Sequence, residues 1–258
     1  MSPLARRWLA LFPALAEHEL RTQFARSELY AGAARELAPA LDRLCQMAEQ
    51  GDAAAREALG AFVPTVADPG HLEQLGPLRE AALATPLPSL GRLLRCATAA
   101  HHFASSDEEL AGGEGVPTRD GRPLTLGERR ALARAPSRAA LRKLMRDPHP
   151  LVVRRLLGNP KITEHDVVEM AARRPAVPEV ATEIAKAWWR SARVRLAVVL
   201  NPGSPPGVSV PLLALLLRHE LEQVVGAIDL PVVVRATAGE LLVLRPPPRP
   251  TEVPETKH

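Results

Sequence analysis

Apolar residues recur along this chain at helical spacing and hardly ever in strict alternation, so the pattern predicts helices and no sheet. One helical segment is expected from about Pro3 to Gln50, with interruptions at Pro13 and Pro39. It carries Leu37, Leu41, Leu44 and Cys45 on one face. Gly51-Asp52 marks a break. Ala53 to Phe62, ended by Pro64, and Leu72 to Ala84 predict two further helices. Ser89 is placed as the N-cap of another, with Leu90, Leu93, Leu94 and Ala97 on one face. From Ser105 to Leu124 the pattern fails. Ser105-Ser106-Asp107 and Gly112-Gly113-Glu114-Gly115 are turn and linker chemistry.

The second half repeats itself. Asn159-Pro160 closes the apolar segment Val152 to Gly158, and Asn201-Pro202 closes Val194 to Leu200, 42 residues later. Ala135-Pro136 is a weaker relative, and Pro148 and Pro231 are expected to begin further helices. A period in this range indicates stacked helical units. Asn tolerates the left-handed conformation that ends a helix, and the following Pro cannot continue one. Thr163 with Asp166 resembles a capping box. Val180, Ile184 and Trp188 form a core stripe, while Val194 to Leu200, apolar nearly all round apart from Arg195, is expected to be central.

The segments LARAPSRAALRKLMRDPHPLVVRRLLGNPKITEHDVVEMAARRP and RVRLAVVLNPGSPPGVSVPLLALLLRHELEQVVGAIDLPVVVRATAGELL resemble bacterial leucine-rich-repeat-variant or HEAT-like repeats. The resemblance covers roughly Leu124 to Leu244 and implies a right-handed helical solenoid. The 42-residue unit is longer than the short unit of the variant family. The cysteine cluster that accompanies some of those repeats is absent, so no iron–sulfur centre is carried over. The expected fold is therefore an all-α, right-handed solenoid of HEAT-like repeats with an N-terminal helical subdomain. Its parts are a helical subdomain over 1–104, a flexible linker over 105–124, repeats over 125–244 and a Pro-rich tail over 245–258.

Charge sharpens this division. Residues 1–118 carry 10 basic and 15 acidic side chains, a net of −5, whereas residues 121–161 carry 11 basic and 2 acidic, a net of +9. Aromatic residues are only 3%, and Ala, Leu and Val dominate the apolar share, which suits closely packed helices. Cys45 and Cys96 form no disulfide framework and fit a reducing compartment, so a cytoplasmic protein is expected. Arg6-Arg7 before the apolar run Trp8 to Leu15 reads as part of a first helix rather than a leader, and no run reaches the length of a membrane span.

No catalytic constellation emerges. Gly112 to Gly115 lacks the Lys-Ser or Lys-Thr of a phosphate loop, and His101-His102 point about 100° apart on a helix. Glu164-His165-Asp166 sits at a helix start, where acidic groups favour the positive end of the dipole. No catalytic, cofactor or metal residues are assigned. The functional lead is basic. Arg138, Arg142 and Arg146 share one helix face, Arg154 and Arg155 follow on the next helix, and Lys143 and Lys161 add charge nearby. Trp188 fits the core stripe; Trp189, beside Arg190 and Arg193, either packs in the core with it or is partly exposed as an interface residue. These ten residues, without Trp188, are the expected partner-binding set. The expectation is a non-enzymatic interaction scaffold or regulatory adaptor docking an acidic protein surface. A small GTPase or its regulator exemplifies the partner class, on scaffold character alone. The alternative is a HEAT-like binder of duplex DNA; a DNA glycosylase is weaker, because no catalytic carboxylate can be named. Whether the acidic N-terminal half covers the basic face decides if that face is free.

Overall fold

A computed structural model describes residues 2–96, 118–119 and 122–246. His101-His102, Gly112 to Gly115, most of the expected linker and all but the first two residues of the expected Pro-rich tail lie outside the described residues. The described chain is all-helical apart from one short antiparallel pair, Thr118–Arg119 with Arg122–Pro123. Among the described residues no helix is long and apolar enough to cross a membrane.

The described part of the first half forms six helices: α1 (Pro3–Ala14), α2 (His18–Ala31), α3 (Ala34–Glu49), α4 (Ala53–Val66), α5 (Leu72–Ala84) and α6 (Pro88–Leu93). The expected segment from Pro3 to Gln50 is thus three helices. Its breaks fall at Leu15–Glu17 and at Gly32–Ala33. Pro39 interrupts nothing: α3 runs through it, with the Pro39 ring exposed and Leu37, Leu41, Leu44, Cys45 and Ala48 buried. Pro64 likewise lies inside the last turn of α4, where Ala67 N–H still reaches the Val63 carbonyl. Ser89 is not the cap of α6. Asp42, from α3, accepts from the Ser89 and Leu90 amides, and Ser89 Oγ donates to Glu49.

Nine mostly shorter helices follow in three triplets: α7 (Leu126–Leu132), α8 (Arg138–Leu144) and α9 (Pro150–Leu157); α10 (Glu164–Ala172), α11 (Pro178–Trp188) and α12 (Ala192–Val199); α13 (Pro206–Leu213), α14 (Arg218–Gly226) and α15 (Val232–Leu244). Thr125 and Thr163 open the first two triplets with complete capping boxes, closed by Glu128 and Asp166. In each triplet the third helix packs on the first. Successive triplets join through α9 on α11 and through α11 and α12 on α13.

The same polar bridge closes every triplet. Asn159, just past α9, donates its carboxamide N–H groups to the carbonyls of Ala133 and Ala135 at the end of α7, at 2.9 and 3.1 Å. Asn201, just past α12, donates to Ala171 and Arg173 at the end of α10, at 2.8 and 2.7 Å. In the third triplet Arg245 takes this place and donates to Ala214 and Leu216 at 2.9 and 2.8 Å. The asparagines also accept, through Oδ1, from the amides of Lys161 and Gly203. Their use here is the side chain, not a left-handed backbone: α9 closes on Gly158 with φ −85° and α12 on Leu200 with φ −77°.

One apolar core runs through both halves. Its centre is α13 rather than the expected α12, which leaves Arg195, Leu196 and Ala197 half-exposed. Every residue from Val208 to Leu216 is buried, because α13 is surrounded by α4, α6, α11, α12 and α15. At the seam, α4 and α11 approach closely over Gly60, where a Cβ would lie 2.0 Å from Cζ3 of Trp189.

The bridge sets a stability prediction. Asn201→Ala strands two helix-end carbonyls and the Gly203 amide, and should lower unfolding free energy by about 3 kcal/mol in urea denaturation. A loss below about 0.5 kcal/mol, the size of an ordinary surface change, would show that water replaces the carboxamide freely.

Candidate functional site

The ten residues singled out by sequence divide by what they touch. Arg138 is consumed: both Nη groups donate to the Asp166 carboxylate, and Nη1 also reaches the Lys161 carbonyl. Arg154 is consumed by a two-pronged pair with Glu183 of α11 at 2.7 Å. Arg193 meets Glu164 at 3.4 Å, and Arg190 stands 3.7 Å from Glu57. Trp189 corrects the expectation. It is 3% exposed and packs on Gly60 and the His18 ring, so it presents nothing to a surface partner. Trp188 is the more exposed of the two and donates weakly to the Leu157 carbonyl. Trp188 still packs against the core, and Trp189 is buried more deeply because the chain turns after α11, where α4 supplies a glycine for the indole to fill.

Arg142, Lys143, Arg146, Arg155 and Lys161 remain. Their side chains are exposed and make no hydrogen bond or ion pair among the described residues. Four of them lie on the adjoining helices α8 and α9 or at the α8 end. Leu141, Leu144, Val152, Val153, Leu156 and Leu157 anchor those helices beneath them. A fully buried ion pair, Arg129 with Asp147 at 2.7 Å, fixes the start of this triplet from inside.

The described carboxylates of the first half turn elsewhere. Asp68 binds Lys186 at 2.6 Å, Lys186 binds Glu183 at 3.3 Å, and Glu183 binds Arg154, which makes a chain of charges across the seam. Burial opposes ionisation of Asp68, but the Lys186 ammonium prevails and holds the carboxyl below its ordinary range. Glu57 binds Arg21 and faces Arg190. No carboxylate of the first half pairs with Arg142, Lys143, Arg146 or Arg155 among the described residues.

A second feature was not read from the sequence. Where α4 meets the ends of α11 and α13, an open-sided cleft of about 370 Å³ is lined by Arg56, Arg190, Arg195, Glu57 and Trp189. Arg195 reaches it from α12 and spends its Nη groups on the carbonyls of Trp189, Arg190 and Leu215. Burial, reinforced by Arg56, lowers its pKa. The one available sign was Arg195 itself, a lone charge in an otherwise apolar helix. Among the described residues, no group of three His, Cys, Asp or Glu side chains converges to hold a metal.

The Arg138–Asp166 pair has a readable pH dependence. The guanidinium, with the Thr163 hydroxyl and amide, holds the Asp166 carboxyl far below the usual range. A depressed carboxyl contributes stability that is complete above its unfolded pKa of about 3.9 and is lost as pH falls through the folded value. The melting-temperature gap between wild type and Arg138→Gln should therefore be constant above about pH 5 and shrink below about pH 4; a gap that widened on acidification would contradict the pairing. No family model matches the chain, and no curated protein or solved structure matches it either.

Proposed function

We propose that the three triplets form a right-handed, HEAT-like solenoid that serves as a non-enzymatic interaction scaffold. Its docking face is the exposed side of α8 and α9, and its partner is an acidic protein surface. The observation that carries this reading is the division of the arginines. Arg138, Arg154 and Arg193 are tied to carboxylates, whereas Arg142, Lys143, Arg146 and Arg155, on neighbouring helices or just past the end of α8, are exposed and unpaired among the described residues. A rigid apolar base lies beneath them, and the acidic first half engages Lys186 and Arg190 instead. Cations held this way steer encounter and fix orientation, while specificity rests on complementary charge. The closing bridges of Asn159, Asn201 and Arg245 support the solenoid reading, since stacked units need their helix ends satisfied by neighbours.

The test is affinity capture from native cytosol with wild type and Arg142→Glu/Arg155→Glu, with and without nuclease. The double reversal should weaken capture of an acidic protein by at least about tenfold, since like charges across an interface cost several kcal/mol. Capture should be indifferent to nuclease. Recovery of nucleic acid, with the protein hits vanishing after nuclease, would replace the scaffold reading with a nucleic-acid one.

A further inference from the structure

We propose that the cleft between α4, α11, α12 and the end of α13 binds a small phosphate-bearing anion. The cleft, of about 370 Å³, falls in the size range of small-molecule sites. It lies apart from the basic face of α8 and α9, and the inference does not depend on that face.

The charge balance of the cleft is the first argument. Three arginines, Arg56, Arg190 and Arg195, line it against one carboxylate, Glu57, which leaves two positive charges in excess. Glu57 is already engaged by Arg21. The Arg56 guanidinium makes no hydrogen bond or ion pair among the described residues, and Arg195 bonds only neutral carbonyls. Behind them Arg245 is buried and donates only to the carbonyls of Ala48, Ala214 and Leu216. Burial, with Arg56 adding to it, pushes Arg245 down to about 10. Glu220 faces Arg195 and Arg245 only at a distance, and Glu49, the other carboxylate near Arg245, is bound to Arg92 and Ser89; interior positive charge without a contacting counter-charge is costly, and a bound anion reduces that cost.

The second argument is hydrogen bonding. Nε of Arg56, Nε of Arg195, Nε of Arg245 and Nε1 of the nearly fully buried Trp189 have no acceptor. Every one of these groups is a donor, and none can accept. These nitrogens are themselves enclosed, so they mark a surplus of donors and positive charge around the cleft, which an oxyanion in the cleft offsets. The lining arginines come from three separate elements, α4, the α11 end and α12, so a tetrahedral oxyanion suits their arrangement better than the planar fork of a carboxylate. Arginine clusters suit phosphate for the same reason. Ala53 and Leu215 supply a small apolar wall, and the open side leaves room for a substituent on the phosphate.

The experiment uses the full chain and isothermal titration at matched ionic strength, with inorganic phosphate, glycerol phosphate, succinate and chloride as probes. Phosphate should bind at one saturable site and raise the melting temperature; chloride should do neither. Arg56→Gln and Arg190→Gln should each weaken phosphate by at least about tenfold, the worth of one charge-assisted hydrogen bond. Arg142→Glu/Arg155→Glu should bind it as wild type does. In phosphate-free buffer Arg56→Gln should melt no lower than wild type, because it relieves repulsion with Arg195 and Arg245, and phosphate should reverse that order. Tighter binding of glycerol phosphate would assign the site to a phosphorylated metabolite, and tighter binding of inorganic phosphate to the free ion. Succinate binding more tightly than phosphate, phosphate binding unchanged in Arg56→Gln, or an equal response to chloride would each overturn the proposal.

Discussion

An α-helix leaves four amide N–H groups and four carbonyls without intrahelical partners. In helices of seven or eight residues, such as α7, α8, α9, α12 and α13, these orphans are as numerous as the residues themselves. The second half of the chain is therefore governed by how helix ends are satisfied. Thr125, Thr163 and Ser191 supply acceptors at helix starts, and Asn159, Asn201 and Arg245 supply donors at helix ends. Each closing donor ties the third helix of a triplet to the end of the first, so the termination of single helices and the packing of triplets are one interaction. Arg245 extends the pattern furthest: its other Nη group reaches the Ala48 carbonyl and fastens the last triplet to α3.

The same dependence on long donors engages many of the chain's arginines. Arg138, Arg154, Arg173 and Arg195 spend their guanidinium groups on neighbouring carboxylates or on carbonyls between helices. Among the arginines left without a partner in the described residues, Arg142, Arg146 and Arg155 are exposed on α8 and α9 or at the α8 end, and Arg56 lines the open-sided cleft at the seam of the two halves. The seam itself rests on close packing of Gly60 against Trp189 and on the Asp68–Lys186–Glu183–Arg154 chain.

Local chemistry was legible in the sequence. The capping box of Thr163 with Asp166, the span of α5 and the stripe Leu37, Leu41, Leu44 and Cys45 all depend on residues a few positions apart. The paired Asn-Pro sites were visible, but their use was not, because the carbonyls they bridge lie on a helix two elements earlier. The spacing of Arg138, Arg142 and Arg146 placed them on one face, while their different fates turn on Asp166 of another helix. Trp189 and Arg195 were misjudged or passed over for the same reason. Their neighbours Gly60 and Arg56 come from the first half, and no periodicity within the second half could announce them.

Arg154 and Arg155 are adjacent in sequence, and the account assigns them opposite roles: one bound to Glu183, the other free for a partner. Thermal unfolding of Arg154→Glu and Arg155→Glu, measured side by side, tests that division most directly. Arg154→Glu sets a carboxylate against Glu183 with Asp68 nearby, and should lower the melting temperature by at least about 2–4 °C. Arg155→Glu should leave it within about 1 °C, as expected for a surface change that breaks no contact. Equal losses in the two variants, or a larger loss in Arg155→Glu, would contradict the account.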